Sequence, residues 1–240
     1  DFIKEENIIE IIDHHGGNTE YWEDRLGEGC QIEKIGACAT QVWEKFKEKG
    51  EETQLSVVGA NLLYTAIISN TLNFRSNIAS KRDVWAFQEL IKLIDLPKDW
   101  IERYFDDQQK HALANPLSTI INDTKIIPIE GQKFVIGQLE LWDAYEFIDK
   151  EEETIIKALS SFNNTNWFLT SPSMFHNQNI FIAQNENIKD LLTKVFEVCF
   201  NENKAETKYL LERKEVVEAI RKYLKNGEKT PHYTLDNHEI

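Results

Sequence analysis

Two adjacent histidines follow an aspartate at Asp13-His14-His15, directly after residues 8–12, which are isoleucine except for Glu10. The apolar run predicts a buried strand, and ligands in α/β folds lie at the carboxyl ends of such strands. Imidazole and carboxylate groups suit Mn²⁺ and related divalent ions. An isolated His-His pair is more often a surface feature or a strand-end hydrogen bonder. The rest of the sequence must therefore decide between a metal site and a structural pair.

Two further blocks follow these histidines in order. The first is Gly36-Ala37-Cys38-Ala39-Thr40, and the second is Ser69-Asn70-Thr71, after the apolar residues 55–69. That apolar stretch predicts a buried helix, because it lacks a polar face. The ordered set resembles the DHH phosphoesterases, and more narrowly the branch that holds family II inorganic pyrophosphatases and short-chain exopolyphosphatases. The family's first two motifs do not occur before His14, so we expect residues 1–114 to be the C-terminal portion of a DHH domain.

The resemblance implies a role for each residue of these blocks. By position, His14 is a metal ligand and His15 contacts a substrate phosphate. Asp13 fixes the orientation of an imidazole without binding the metal itself. The family has a metal-binding aspartate where this chain has Asn70. An amide in place of a carboxylate removes one negative charge, which predicts weaker metal binding. The implied cofactor is a divalent metal, Mn²⁺ first, with Mg²⁺ or Co²⁺ as alternatives.

The hydrophobic period changes after residues 115–122, which include Asn115-Pro116 and predict a linker. Residues 125–129 and 134–141 predict a strand hairpin, and 167–170 and 180–183 predict two more strands. Helices are expected among these strands, the first of them capped by Asp149. The sequence therefore predicts an α/β fold: the remainder of a parallel-sheet DHH domain, followed at 123–240 by a smaller mixed-sheet domain.

The second part has a resemblance of its own, to the DHHA2 domain that accompanies DHH in these enzymes. The segments that carry it are Asp123-Thr124-Lys125, residues 134–140, and Glu212-Arg213-Lys214-Glu215. The resemblance implies that Lys125, Arg213 and Lys214 bind substrate phosphates and compensate transition-state charge during catalysis. The family has Ser and Lys where this chain has Glu212 and Glu215. Both differences add negative charge where an anion is expected.

Composition limits the partners and the compartment. The chain has 41 acidic and 27 basic residues and a formal net charge of −14, which argues against a nucleic-acid partner. No apolar run approaches the ~18 residues of a membrane span, so no membrane partner is expected. The three cysteines are scattered and odd in number, which is typical of a reducing compartment, and we expect a cytoplasmic protein.

These observations favour metal-dependent hydrolysis of a phosphoanhydride, in pyrophosphate or short polyphosphate, at a site between the two domains. The alternative is a degenerate family member that binds a phosphorylated ligand or a protein without turnover, so enzymatic activity stays open. A third possibility is an oligonucleotide phosphodiesterase, as in other DHH branches, although the acidic chain lacks a nucleic-acid groove signature. The expected partner is a small phosphorylated anion. The sheet edge also allows a homo-oligomer or a partner that supplies the missing strands.

Overall fold

The computed structural model describes residues 3–15 and 17–227 and divides between Ile101 and Glu102 into two compact units. The helices and strands of the first unit are β1 (Ile11–Asp13), α1 (Thr19–Leu26), β2 (Cys30–Ile32), α2 (Cys38–Lys49), α3 (Val57–Asn70) and α4 (Lys81–Leu90). Helix α5 (Trp100–Ala114) begins at the end of this unit. The expected α/β class is confirmed.

The first unit contains a small parallel sheet. Strand β1 pairs with β2, with Ile11 opposite Cys30 and Asp13 opposite Ile32. The sequence predicts the first strand at residues 8–12, whereas β1 begins at Ile11 and ends at Asp13, so the predicted start is wrong. Residues 19–26 and 30–32 form α1 and β2, neither of which the sequence analysis predicts. A parallel pairing of two short strands depends on distant partners, which local periodicity does not reveal.

Helix α3 was expected to be buried on all sides, and this prediction was wrong. Its N-cap Ser56 accepts a hydrogen bond from the Gly59 N–H at 3.0 Å. One face packs inside the unit through Ala60, Tyr64, Ile67 and Ile68. The other face is exposed, at 51% for Val57, 67% for Val58 and 66% for Leu62. A helix that is apolar all round in sequence gives no signal for which face is covered.

The second unit is built on a five-stranded mixed sheet. Its strands are β3 (Thr124–Ile129), β4 (Gln132–Gln138), β5 (Trp167–Ser173), β6 (Gln178–Ile182) and β7 (Lys204–Glu206), in spatial order β3-β4-β5-β6-β7. Strands β4 and β5 are parallel, and the other pairs are antiparallel. The predicted hairpin and the two further strands are confirmed, whereas the short β7 was missed.

Helices cover both faces of this sheet. They are α6 (Pro116–Asn122), α7 (Ala144–Ser160), α8 (Glu186–Phe196) and α9 (Arg213–Asn226). Alternate residues of β4 enter opposite cores: Phe134 and Ile136 pack with α8 and α9, and Val135 packs with α7. The cap of α7 is Asp143, not Asp149, because the Asp143 carboxylate accepts the Tyr145 and Glu146 N–H groups.

The stretch 115–122 forms a helix in the second unit, α6, where the sequence predicted a linker. Pro116 is accepted there because the first position of a helix needs no N–H donor. The predicted domains at 1–114 and 123–240 stay a prediction, and the compact units divide at Ile101 instead. Among the described residues, the helices are too short or too polar to cross a membrane.

Candidate metal centre and anion site

The Asp13-His14-His15 segment begins at the last residue of β1. Each of the three side chains offers a ligand atom, and these atoms lie within 4.8 Å of one another. The two imidazole rings meet edge to face, with 4.6 Å between their centroids. Strand β1 therefore brings together the three residues that the sequence singled out, at the carboxyl end where α/β folds hold ligands.

The imidazole of His14 has a defined orientation. Its Nδ1 lies 3.1 Å from the backbone oxygen of Ile35, in the segment between β2 and α2. Because a carbonyl oxygen can only accept, Nδ1 is the donor, and Nε2 keeps its lone pair in the neutral ring. This arrangement leaves Nε2 of His14 available to a cation.

The carboxylate of Asp13 makes hydrogen bonds with both histidines. Its Oδ1 accepts the backbone N–H of His14 at 2.7 Å and of His15 at 3.2 Å, and lies 2.8 Å from His15 Nδ1. Partial burial opposes ionisation of Asp13, but these hydrogen bonds and the nearby His15 outweigh it and lower its pKa. Asp13 thus orients the ring of His15, whereas the carbonyl of Ile35 orients His14.

Two residues of α2 contact Asp13. The Gln41 amide donates to the Asp13 backbone oxygen at 3.1 Å, and the Cys38 thiol lies 3.9 Å from Asp13 Oδ1. Burial and the charge of Asp13 raise the pKa of the Cys38 thiol. Cys38 is therefore held as a neutral thiol, which favours a packing role over a nucleophilic one.

The donor set fits a divalent cation of the Mn²⁺ type. Imidazole nitrogens and carboxylate oxygens suit Mn²⁺, and hydrogen bonds fix the orientation of both rings. His14 would hold the ion through its free Nε2, while Asp13 would orient the ring of His15 beside it.

Asn70 is the residue where the family has a metal-binding aspartate. It is the last residue of α3, and its amide donates to the Ala66 backbone oxygen at 3.0 Å. The side chain is exposed and folded back along its own helix. The Asn70 amide is thus hydrogen-bonded within its own helix, and its metal role stays a prediction.

The basic residues predicted for phosphate binding lie in the second unit. The Arg213 guanidinium, whose side chain is 12% exposed, contacts Asp123 Oδ1 at 3.0 Å and donates to the Asp123 backbone oxygen. Lys214 lies 3.3 Å from Glu212, and Lys125 is exposed on β3. Arg213 and Lys214 are thus paired with carboxylates, which a phosphate would have to displace before it could bind them.

Glu212 and Glu215, which depart from the family pattern, are used at the start of α9. The Glu215 carboxylate accepts the Glu212 N–H at 2.9 Å. A carboxylate at a helix N-terminus satisfies a free N–H and interacts favourably with the helix dipole. These two residues therefore have a structural role in α9, and Glu212 also pairs with Lys214.

Two carboxyl groups beside Arg213 have raised pKa values. Loss of hydration raises the pKa of Asp123, against the charges of Arg213 and Lys125. The pKa of Glu140 is raised to about 7, by loss of hydration and by the charges of Glu212 and Asp123. Glu140 nevertheless keeps an exposed surface, so solvent screens part of this effect. A carboxyl group beside Arg213 therefore has a pKa above its ordinary value.

Glu140→Gln is expected to change the pH dependence of stability. The folded-state pKa of about 7 exceeds the ordinary value of 4.5. Between these values the folded state retains a proton that the unfolded state has released, so rising pH destabilises the wild type. The stability advantage of Glu140→Gln should grow from pH 4.5 to 7 and then level off, below ~1 kcal/mol because of solvent screening.

Urea unfolding of both proteins between pH 5 and 8.5 measures this difference. Glu153→Gln, at an exposed glutamate of α7, is the matched control and should show a flat difference. A flat difference for Glu140→Gln would show that Glu140 has an ordinary pKa.

Two residues that contact the candidate sites have no counterpart among the sequence predictions. Gln138 accepts the backbone N–H of Arg213 and donates to the Glu140 carboxylate at 2.6 Å, so it links the start of α9 to Glu140. Asp83 reaches the segment behind His14 from the start of α4. The pattern Ser80-x-x-Asp83 is a helix-start signal in the sequence, but it gives no indication of these distant contacts.

Known proteins provide an independent comparison. No family model matches the sequence. A Bacillus licheniformis protein named as a probable manganese-dependent inorganic pyrophosphatase is 26% identical over 224 residues, which cover 90% of this chain and 70% of that protein. A Clostridium acetobutylicum protein with the same name is 25% identical over 224 residues, with the same coverage.

A solved structure agrees at the level of the fold. The crystal structure of a Methanococcus jannaschii protein assigned to the family II inorganic pyrophosphatases superposes with a TM-score of 0.67 and 21% identity. The match covers 80% of this chain and 66% of that protein. The resemblance to DHH phosphoesterases of the family II pyrophosphatase branch is confirmed. The roles of individual residues within this DHH resemblance stay predictions.

Proposed function

We propose that this protein hydrolyses a phosphoanhydride bond, in pyrophosphate or a short polyphosphate, with Mn²⁺ as cofactor. The observation that carries the proposal is the Asp13-His14-His15 group at the end of β1, with both imidazoles oriented by hydrogen bonds. The similarity to manganese-dependent pyrophosphatases supports the metal and the substrate class. We further propose a cytoplasmic location, in line with the three free cysteines.

In this proposal the first unit binds the metal through His14 and contacts the phosphate through His15. A bound divalent ion lowers the pKa of water and polarises phosphoryl oxygens. His14 offers Nε2 to the ion, since its Nδ1 donates to Ile35. His15 is more exposed, and its ring is fixed through Nδ1 by Asp13, so its Nε2 can donate to a phosphate oxygen when protonated.

We propose that basic side chains of the second unit bind the phosphate groups of the substrate. The substrate carries several negative charges, and charge-assisted hydrogen bonds from guanidinium and ammonium groups stabilise them. Lys125 is exposed and available, whereas Arg213 and Lys214 exchange carboxylate partners for phosphate oxygens. A phosphate that displaces Asp123 from Arg213 leaves that carboxyl in a site where loss of hydration already raises its pKa. Because Arg213 lowers the pKa of Asp123 in the structure, this displacement should raise the pKa of Asp123 further.

The direct test is phosphate release from pyrophosphate and tripolyphosphate by this chain, with Mn²⁺, Co²⁺ or Mg²⁺. We expect Mn²⁺-dependent release that Lys214→Ala reduces by at least ~10-fold, the effect of one lost charged contact. Lys222→Ala, at an exposed lysine later in α9, is the matched control. Absence of release with all three metals would contradict the proposal.

A second candidate function is ligand binding without turnover. Asn70 in place of the family's carboxylate, and the pairing of Arg213 and Lys214 with carboxylates, favour this candidate. It predicts that pyrophosphate binds in a calorimeter while no phosphate is released. Partner proteins that extend the edge of the β1–β2 sheet, including a second copy, are a further proposal that gel filtration with light scattering tests.

A further inference from the structure

We propose that Asp83 is a positioning residue for the candidate metal centre. Its buried carboxylate fixes the segment before α2, and this segment sets the tautomer of His14. The consequence for metal binding rests on the proposed function. The structural part of the inference, from Asp83 to the His14 ring, does not.

Asp83 is fully buried and accepts five hydrogen bonds. Oδ1 accepts the Ala37 N–H at 3.1 Å and the Thr40 hydroxyl at 2.6 Å. Oδ2 accepts the Gly36 N–H at 3.1 Å, and the Ser80 N–H and hydroxyl at 2.8 and 2.6 Å. A buried charge is costly unless hydrogen bonds compensate it, and this carboxylate is compensated from two directions.

The hydrogen bonds of Asp83 fall into two sets with different structural roles. The bonds with Ser80 form the capping box that begins α4, a local arrangement within one turn. The bonds with Gly36, Ala37 and Thr40 cross 43 to 47 residues of sequence. A helix cap needs only the first set. The second set therefore indicates that Asp83 also fixes the position of residues 36–40.

Packing around Gly36 confirms that this segment is held closely. A Cβ added at Gly36 would lie 2.7 Å from Asp83 Oδ2 and 2.8 Å from Thr71 Cγ2. The segment is thus enclosed between the start of α4 and the residue that follows α3. Ile35 precedes Gly36 directly and is itself 2% exposed. The direction of its carbonyl group, which shares a peptide unit with the Gly36 N–H, follows from the bond between Gly36 and Asp83.

The same carbonyl accepts the Nδ1–H of His14. A continuous chain of contacts therefore leads from Asp83 through the Gly36 peptide to the His14 ring. Loss of the Asp83 charge removes the acceptor that orients this peptide. Without a correctly placed carbonyl acceptor, the proton of His14 is no longer held on Nδ1. The lone pair of Nε2 is then no longer kept free for a metal.

Asp83→Asn tests this inference, because the amide keeps only one acceptor oxygen, and its NH₂ group must face either the Ala37 N–H or the Gly36 and Ser80 N–H groups. The readout is the ¹⁵N chemical shift pair of the His14 ring by NMR in the metal-free protein at pH 8.5, where a free imidazole is neutral. We expect the Nδ1–H form in the wild type and a shift toward the Nε2–H form in Asp83→Asn. Mn²⁺ affinity should fall roughly 10- to 100-fold, as for other groups behind a metal ligand.

Ser80→Ala is the matched control, since it removes the cap of α4 and leaves the bonds to residues 36–40. It should lower stability without changing the His14 tautomer. Gly36→Ala keeps Asp83 but displaces the peptide, and it should reproduce the tautomer change even where Asp83→Asn does not fold. An unchanged tautomer in these variants, or an equal change in Ser80→Ala, would overturn the inference. A changed tautomer in a protein whose wild type binds no Mn²⁺ would support the inference and contradict the proposed function.

Discussion

His14→Ala is expected to lower the affinity for Mn²⁺ by at least ~100-fold, more than the 10- to 100-fold typical of groups behind a ligand. The variant removes the imidazole whose Nε2 is free, because Nδ1 is committed to the carbonyl of Ile35. The remaining His15 and Asp13 already hydrogen-bond each other at 2.8 Å. That contact remains in the variant, but it supplies no nitrogen at the position of His14 Nε2.

Electron paramagnetic resonance of free Mn²⁺ measures the affinity directly. Phosphate release should fall in parallel with Mn²⁺ occupancy. The matched control is His111→Ala, an exposed histidine of α5 in the second unit, which should leave both quantities unchanged. Equal Mn²⁺ affinity in the wild type and His14→Ala would exclude His14 as a ligand.

Asn70→Asp is expected to raise Mn²⁺ affinity by about tenfold or more, with a corresponding gain in hydrolysis. The Asn70 amide donates to the Ala66 carbonyl, and an ionised carboxylate cannot. Repulsion by that carbonyl and by the negative end of the α3 dipole should turn the new side chain away from its helix. A carboxylate near a divalent ion contributes more than the ~1.4 kcal/mol that corresponds to a factor of ten.

The same change should destabilise the metal-free protein by about 0.3–1 kcal/mol, because it places a negative charge at a helix C-terminus. Asn73→Asp is the matched control: it adds the same charge in the following turn, where a left-handed conformation accepts Asp as well as Asn. An equal gain in Mn²⁺ affinity for Asn73→Asp would indicate a general charge effect. Unchanged affinity for Asn70→Asp would mean that position 70 does not reach the metal.

The sequence predicted the second unit better than the first, for a physical reason. Strands β3 and β4 are joined by a two-residue turn, and their alternating pattern is local, so the hairpin was visible. The cap of α7 was misplaced because Asp143 and Asp149 both precede apolar residues at helical spacing. In the first unit, β1 and β2 are three residues each and pair in parallel, which leaves little local signal.

The candidate site shows the same division. Asp13, His14 and His15 are adjacent in sequence, so their proximity required only that β1 end there. The contacts that orient them come from distant residues: Ile35 for His14, and Gln41 for Asp13. The folded-back side chain of Asn70 and the capping role of Glu215 also depend on backbone geometry that residue types do not specify.

Calorimetric titration of this chain with Mn²⁺ tests the central claim most directly. The proposed function predicts saturable binding of at least one ion per chain, with proton release into solvent at pH 7 as the metal displaces protons from its ligands. Binding that disappears in His14→Ala would place the ion at the end of β1. No saturable heat with the wild type would contradict a metal-dependent hydrolase built on Asp13, His14 and His15.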